Sequence, residues 1–294
     1  DSHIESGADI TIATTAVNER DATGFGIMKI DAKKAITEFI EKPSVDVLKS
    51  GNWKIPANAR GDLPAEKEYL ASMGIYIFNA ATMEEMLDNE FTDFGKEIIP
   101  RAIKNKKVNS YVFDGYWEDI GTIRSFYNST LDLTKDVPPF NFYDADSPIY
   151  THMRNLPPPK VNGAPHIENS LLSEGCMLNN KIVKNSVIGV RTIVRDGSEL
   201  DGVITMGADF YENEETKAEN AKAGKPNIGI GKNCKIAKTI IDKDAAIGDN
   251  VRINVDGKSY PDGENKLDNG VSFYSSDGII VIRKGAVIPS GTVI

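Results

Sequence analysis

Aliphatic residues recur every six positions through the second half of the chain. The series comprises Cys176, Ile182, Ile188, Val194, Leu200 and Met206, then Ile230 and Ile236, then, after a slip of one residue, Ile241, Ile247 and Ile253, and finally Ile282, Ile288 and Ile294. An α-helix repeats every 3.6 residues and a strand every two, so neither explains this period. Stacked coils do, because each six-residue unit supplies one short β face and one turn. We predict an all-β domain of hexapeptide repeats, a parallel β-helix over residues 166–294, interrupted at roughly Ala208–Asn227 and Asp256–Ser276.

The first 135 residues have a different pattern, in which strand-like and helix-like segments alternate. The strand-like segments are 10–15, 25–31, 35–40, 73–78 and 108–113, and the helix-like segments are 80–87, 98–103 and 122–133, the last with Thr122 as N-cap. Such alternation indicates an α/β domain. Residues 136–165 are rich in proline and lack periodicity, which indicates an extended linker between the two domains.

Composition excludes several classes of protein. The net charge of −9 and the pI near 5.0 disfavour nucleic acid as a partner, because a phosphate backbone requires a basic surface. No apolar run is long enough to span a membrane. Two cysteines, Cys176 and Cys234, form neither a disulfide framework nor a metal-type pair, which favours a reducing, cytoplasmic setting. The chain opens at Asp1 without methionine and soon enters a strand, so we expect a fragment.

Glu41 and Lys42 precede Pro43 at the end of a predicted strand. Proline restricts the residue before it, so we expect Lys42 to be extended and its side chain to project outward. An ammonium group suits a phosphate, and a carboxylate accepts hydrogen bonds from sugar hydroxyls. The alternative is a solvated ion pair at a strand end.

A second candidate lies in the strand at 73–78, around Gly74. Glycine inside a strand suggests the close approach of a ligand or another backbone. Ser72 and Tyr76 would lie on the same face on either side of Gly74, which would give a sugar-binding floor with two hydroxyls. The alternative is a core strand with a packing glycine.

Asp119 is a third candidate, at the junction of a strand and a helix. A carboxylate there would either hold Mg²⁺ or cap the helix. The chain contains neither a Walker loop nor a GxGxxG motif.

The order of these motifs resembles one family. FIEKP, ASMGIYIFN, DFGKEIIP and GYWEDIGT, followed by a proline-rich linker and hexapeptide repeats, is the layout of ADP-glucose pyrophosphorylases, especially the cyanobacterial and plant-type branch. The resemblance implies the C-terminal part of a Rossmann-like nucleotidyltransferase domain joined to a left-handed parallel β-helix. It also implies transfer of AMP from ATP to glucose 1-phosphate, yielding ADP-glucose and pyrophosphate, in glycogen or starch synthesis.

Roles for individual residues follow from the resemblance alone. Lys42 would bind the sugar phosphate as a catalytic residue, and Glu41 the sugar hydroxyls. Asp119 would be one of two aspartates that hold Mg²⁺. The sugar pocket would be lined by Ser72, Gly74 and Tyr76. Allosteric anions, such as 3-phosphoglycerate and phosphate, would bind at Lys243 and Lys284.

The resemblance also implies a homo- or heterotetramer, located in the cytoplasm or, in a plant, the plastid. The family's glycine-rich nucleotide loop and partner aspartate would lie before residue 1, so we expect this chain to be inactive alone.

Three alternatives remain. A sister enzyme, such as a mannose-1-phosphate guanylyltransferase, shares the layout. A non-catalytic regulatory subunit is the second, although Lys42 and Asp119 are intact. A hexapeptide-repeat acyltransferase is the third, but it normally needs a histidine among the coils, and no histidine follows His166.

Overall fold

The computed structural model describes residues 1–50 and 52–294, which form two compact units, Asp1–Trp117 and Glu118–Ile294. The boundary falls before the helix predicted at 122–133. That helix, placed in the first domain by the sequence, therefore belongs to the second unit. In the described part of the chain, the helices are too short or too polar to cross a membrane.

The first unit contains one mixed five-stranded sheet. Its strands are β1 (Ile10–Val17), β2 (Gly26–Ile30), β3 (Ile36–Glu41), β4 (Tyr69–Phe78) and β5 (Val108–Val112). Their order is β3-β2-β4-β1-β5, with β1 parallel to β5 and the other neighbours antiparallel. The predicted hairpin is confirmed, because β2 pairs with β3 from Gly26↔Glu41 to Ile30↔Ile36.

Short helices connect the strands of this sheet. They are α1 (Ser2–Ser6), α2 (Glu19–Ala22), α3 (Val45–Ser50), a 3₁₀ turn (Ala57–Ala59), α4 (Ala80–Leu87), a π-helix (Phe94–Ile98) and α5 (Ile99–Asn105). The core contains Ile10 and Ile12 of β1 with Ile99 of α5, all fully buried. Apolar side chains of the central strand and the helices thereby fix the sheet edge that bears Glu41.

The second unit begins with α6 (Ile123–Asp132), and Thr122 caps this helix as predicted. Thr122 Oγ1 accepts a hydrogen bond from Ser125 N, and Ser125 Oγ accepts one from Thr122 N, which together form a capping box. No helix or strand occurs in residues 133–159, all of which the structure describes, in agreement with the extended linker. The first β-helix strand begins at Lys160, earlier than the predicted 166.

The remaining strands form the coils of a parallel β-helix. In chain order they are β6 (Lys160–Val161), β7 (His166–Glu168), β8 (Leu171–Leu172), β9 (Met177–Leu178), β10 (Ile182–Lys184), β11 (Val187–Ile188), β12 (Ile193–Val194), β13 (Glu199–Thr205), β14 (Gly229–Ile230), β15 (Lys235–Ile241), β16 (Ala246–Ile247), β17 (Arg252–Ile253), β18 (Gly263–Lys266), β19 (Ser272–Ser276), β20 (Ile279–Ile282) and β21 (Val287–Ile288). One sheet is β6-β9-β12-β14-β16-β21, and the other strands form the second. The two predicted interruptions contain helix α7 (Glu214–Lys222) and the antiparallel hairpin β18–β19.

The aliphatic ladder differs from the strict period of six at two positions. Val183, not Ile182, faces the interior and pairs in register with Leu200, which in turn pairs with Ile236. Met206 is 37% exposed and lies outside the core. The shift from Ile182 to Val183 arises because the coil from Val183 to Leu200 spans 17 residues, not a multiple of six, so the turns between its faces vary in length.

Helix α6 covers one outer face of the β-helix. Ile204, Ile240 and Ile279 point away from the coil interior, and each is buried with Tyr127 of α6. An outward-facing row of isoleucines needs such a cover, because exposed apolar area costs free energy. The packing explains why α6 belongs to the second unit.

Candidate functional site

The Glu41 carboxylate lies over the backbone of two glycines. Glu41 pairs with Gly26 across the hairpin. A Cβ at Gly26 would first meet the Phe39 ring at Cζ, and would lie 2.8 Å from Glu41 Oε2. A Cβ at Gly95, in the π-helix, would lie 3.1 Å from the same oxygen. Gly26 thus makes room for the Phe39 ring, and Gly95 leaves Glu41 as a partly exposed acceptor at the sheet edge, suited to hydroxyl donors.

Lys42 adopts a left-handed backbone conformation, with φ of 48°. The expectation of an extended Lys42 is therefore wrong. Its N–H donates to Phe25 O at 3.0 Å, and the chain turns directly towards α3. A neighbouring proline disfavours the right-handed α region but does not forbid a tight left-handed turn. The Lys42 side chain is exposed and forms no ion pair within residues 1–50 and 52–294.

Strand β4 contains a bulge centred on Gly74. The register with β1 passes from Thr14↔Ser72 to Ile12↔Tyr76, so extra residues of β4 are accommodated there. Gly74 has φ of 72°, and a Cβ on it would meet no atom within 4 Å. The glycine is required by its backbone conformation, and no protein atom approaches it closely, so the alternative of a packing glycine is wrong.

The bulge leaves Ser72 and Tyr76 on the same face of the sheet, as predicted. Their partners on β1 are two residues apart on a regular strand, so the two extra residues of β4 do not change the face. Ser72 Oγ accepts a hydrogen bond from Gly74 N at 3.3 Å. The Tyr76 ring stacks on Phe94, with centroids 5.8 Å apart, and packs against the core of the first unit.

Residues 93–95 contribute to this region, although the sequence analysis assigned them no role. Asp93 caps the π-helix by accepting a hydrogen bond from Lys96 N at 2.9 Å. Phe94 stacks on Tyr76, and Gly95 underlies Glu41. The available signal was the motif DFGKEIIP, noted only as part of a family layout. π-Helices are rare in proteins overall, and those that occur are often found at functional sites.

Trp117 ends the first unit, beside the same glycine-bearing strand. Its ring packs edge-on against Phe25, with centroids 5.5 Å apart. Phe25 directly precedes Gly26, so an indole ring adjoins the region that contains Glu41. Aromatic faces and edges are common in sites that bind sugars or bases.

Asp119 lies in the turn before α6. Its Oδ1 accepts a hydrogen bond from Gly121 N at 3.0 Å, and the side chain is exposed. Thr122, not Asp119, caps the helix, so the capping alternative is wrong. In the described part of the chain, no group of three or more His, Cys, Asp or Glu side chains is placed to hold a metal ion. Asp119 thus supplies one carboxylate, and any metal there needs further ligands.

Lys243 and Lys284 converge on a single carboxylate in the second unit. The Nζ atom of each lies 2.8 Å from an oxygen of Asp209, and Lys284 Nζ also lies 3.7 Å from Asp244 Oδ2. Hydrogen bonds from the two lysines hold the pKa of the Asp209 carboxyl well below its usual range. The structure thus brings together the two lysines that the sequence analysis singled out, with an acidic partner that it missed.

A cavity of about 480 Å³ in the first unit involves none of the predicted site residues. Its walls include Lys34, Arg60, Lys67, Asp62 and Asp114. Arg60 donates to Lys67 O at 3.0 Å, so backbone oxygens already engage its guanidinium. With cations and carboxylates in near balance, the cavity has no clear preference for either charge.

Two family models match successive parts of the chain, and the first extends through α6, which the structure places in the second unit. The nucleotidyl transferase family model matches residues 1–136. The model of the GLGC left-handed parallel beta-helix domain matches residues 154–293. The predicted order of domains and the left-handed β-helix are confirmed.

A curated relative aligns with almost the whole chain. The chain is 44% identical over 299 aligned residues to the glucose-1-phosphate adenylyltransferase small subunit, chloroplastic/amyloplastic, of Triticum aestivum. The alignment covers 99% of this chain and 62% of the wheat protein. The chain therefore spans about three-fifths of the length of that relative.

Proposed function

The chain belongs to the family that joins a nucleotidyl transferase domain to a GLGC-type β-helix, that of the glucose-1-phosphate adenylyltransferases, and we propose that it acts in the adenylylation of glucose 1-phosphate. The reaction transfers AMP from ATP to the sugar phosphate. An oxygen of glucose 1-phosphate attacks the α-phosphorus of ATP, and pyrophosphate leaves. The product, ADP-glucose, is a glucosyl donor for glycogen or starch synthesis.

The sugar would bind at the sheet edge around Glu41. Glu41 would accept hydrogen bonds from sugar hydroxyls, and Gly95 leaves one side of the carboxylate free of a side chain. Ser72, Gly74 and Tyr76 would contribute the adjoining surface. The partly exposed carboxylate beside Gly95 is the single observation that best supports this assignment, because a side chain at Gly95 would crowd the oxygen that a hydroxyl would reach.

Lys42 would bind the phosphate of glucose 1-phosphate. Its ammonium group is exposed and carries no partner carboxylate among the described residues, so no ion pair has to break first. Its turn conformation fixes the backbone beside Glu41. Sugar and phosphate would thus be bound by consecutive residues, which holds the attacking oxygen in a defined orientation.

Asp119 would contribute to a divalent metal site, with Mg²⁺ the expected ion. Mg²⁺ is commonly bound by one or two carboxylates together with substrate phosphates, and a single exposed carboxylate fits that pattern. When bound, the ion would neutralise negative charge on the phosphates of ATP. The Gly121 N–H would meanwhile hold the carboxylate in one orientation.

Lys243 and Lys284 would form a regulatory anion site. Asp209 now pairs with both ammonium groups, and an anion such as 3-phosphoglycerate or phosphate would take its place. A phosphate resembles the carboxylate in charge and acceptor geometry. The site would therefore respond to anion concentration through competition with an internal carboxylate.

Assembly and location follow the same family. We propose a homo- or heterotetramer, since the wheat relative is named as one subunit of an enzyme. The location would be the plastid in a plant and the cytoplasm otherwise.

The test is a pyrophosphate-release assay on the purified native protein with ATP and glucose 1-phosphate. Release that requires both substrates supports the proposal. Release with GTP and mannose 1-phosphate instead would favour a sister guanylyltransferase. A folded protein that binds 3-phosphoglycerate but releases no pyrophosphate would be a regulatory subunit.

A further inference from the structure

The turn that bears Asp119 leads directly into α6 without a flexible spacer. Asp119 Oδ1 holds Gly121 N at 3.0 Å, and the capping box of Thr122 and Ser125 follows at once. The position of this carboxylate within the second unit therefore depends on where the first turn of α6 lies. The position of that first turn depends on two polar contacts and one apolar surface between α6 and the β-helix.

The first polar contact is a hydrogen bond from Tyr127 to the β-helix. Tyr127 Oη donates to Gly202 O at 2.6 Å. Burial raises the pKa of Tyr127 to about 12, so the hydroxyl stays protonated and remains a donor near neutral pH. A Cβ at Gly202 would lie 2.7 Å from Tyr127 Oη, and Gly202 has φ of 62°. The glycine is thus required both by its conformation and by the approach of the tyrosine.

The second polar contact is an ion pair between Arg124 and Asp277. Asp277 is itself fixed, because its N–H donates to Asp262 Oδ1 at 2.9 Å and its carbonyl accepts from Lys238 Nζ at 3.0 Å. Arg124 lies in the first turn of α6, close in sequence to Asp119. The ion pair therefore connects the start of the helix to the loop between β19 and β20.

The apolar surface under α6 stabilises its packing on the β-helix but does not by itself fix the rotation of the helix about its axis. Ile204, Ile240 and Ile279 are buried there beside the Tyr127 ring. Apolar burial is non-directional, whereas a hydrogen bond and an ion pair have defined geometry. The two polar contacts are the features that can fix the rotation and axial position of α6.

We propose that Arg124 and Tyr127 are positioning residues that hold the Asp119 carboxylate in place through α6. The inference rests on the proposed function, in which Asp119 contributes to the divalent metal site. Neither residue contacts substrate in this role. Both act through the helix, so their loss would weaken metal use more than sugar binding.

The experiment compares the native protein with three variants: Arg124→Asp, Asp277→Arg, and the double variant that carries both substitutions. For each, the Mg²⁺ concentration at half-maximal pyrophosphate release and the KM for glucose 1-phosphate are measured. Lys181→Asp is the control, because it removes another exposed ion pair of the β-helix, that of Lys181 with Glu199. A repeat at high salt separates an ion-pair effect from a steric one.

Each single exchange should raise the half-saturating Mg²⁺ concentration about two- to fivefold, the range expected for an exposed ion pair. The KM for glucose 1-phosphate and the control variant should stay near wild type. The combined exchange should restore the wild-type value. Unchanged Mg²⁺ dependence, a parallel rise in KM, or no recovery in the combined exchange would each overturn the proposal.

A second measurement does not depend on activity. Amide hydrogen exchange at Gly121 and Thr122 should quicken in Tyr127→Phe, which keeps the ring but loses the bond to Gly202, and not in Tyr260→Phe. Equal exchange in wild type and Tyr127→Phe would contradict the positioning role. If the wild-type protein releases no pyrophosphate, the proposed function fails, and the exchange rates alone decide whether α6 fixes the turn.

Discussion

The lysines predicted to bind anions are in opposite electrostatic states in the two units. Lys42 in the first unit is exposed and forms no ion pair with any described residue. Lys243 and Lys284 in the second unit share the carboxylate of Asp209, at 2.8 Å each. An ammonium group is thus free to bind an anion in the first unit, whereas the two in the second unit are already paired with a carboxylate.

This difference suits two different tasks. A substrate must be bound in every cycle, and an unpaired ammonium group binds a phosphate without first losing a partner. A regulatory ligand should bind only above a threshold concentration, and displacement of Asp209 would set one. Exposed ion pairs are each worth about 0.2–1 kcal/mol, so the threshold would be modest.

The largest expected effect comes from removing the unpaired lysine. Lys42→Ala should raise the KM for glucose 1-phosphate about tenfold to a hundredfold, because a hydrogen bond to a charged group contributes about 1.5–3 kcal/mol. Lys104→Ala, an exposed lysine of α5, is the matched control. Steady-state kinetics with varied glucose 1-phosphate measure both. An unchanged KM in Lys42→Ala would remove the assignment of Lys42 to the substrate.

A smaller effect, on anion binding, should follow from removing the carboxylate that pairs with Lys243 and Lys284. Asp209→Asn keeps the shape of the side chain but removes its charge, so the half-saturating concentration of phosphate or 3-phosphoglycerate should fall about two- to fivefold. Asp256→Asn removes a comparable exposed partner, that of Arg252, outside the cluster. Calorimetric titration of both variants gives the comparison. Equal or weaker anion binding in Asp209→Asn would show that the carboxylate is not a competitor.

The smallest effect concerns pH. Lys243 and Lys284 lower the pKa of the Asp209 carboxyl, so its contribution to stability is present above the ordinary aspartate pKa and is lost as pH falls through the lowered value. The difference in Tm between wild type and Asp209→Asn should therefore stay constant at neutral and mildly acidic pH. It should shrink only in strong acid. Thermal unfolding across pH measures this, and a difference that shrinks near neutrality would contradict it.

The two units also differed in how well the sequence predicted them. In the β-helix, each coil repeats the same burial requirement, so an aliphatic period of six identified the architecture and both interruptions. The sequence predicted less well which residue of each coil faces the interior. Ile182 and Val183 are both aliphatic, and only the pairing of Val183 with Leu200 distinguishes the interior position.

The first unit was predictable as a set of elements and not as a site. Strand and helix patterns gave the hairpin and α4, whose bounds, Ala80–Leu87, match the prediction. The conformations of Lys42 and Gly74 were missed, because a left-handed turn and a bulge depend on how neighbouring strands pair. The contact of Glu41 with Gly95 joins residues far apart in sequence, and no local pattern indicates it.

Asp209 was missed for a related reason. It lies at the start of an interruption, where the aliphatic period gives no information. Lys243 and Lys284 were singled out through a family resemblance alone, and a resemblance to known lysines does not identify their partner. Only the stacking of the coils brings the three residues together.

The coil stack has a consequence for how such a protein tolerates change. Ile241 and Ile282 are paired neighbours on successive coils, so the turns that carry the two lysines leave adjacent strands, about 4.8 Å apart. The hairpin β18–β19 lies between them in sequence but does not set that distance. Insertions and deletions there could accumulate over generations while the spacing of the two ammonium groups stays the same. The geometry of the proposed anion site therefore does not depend on the length of the chain that connects its parts.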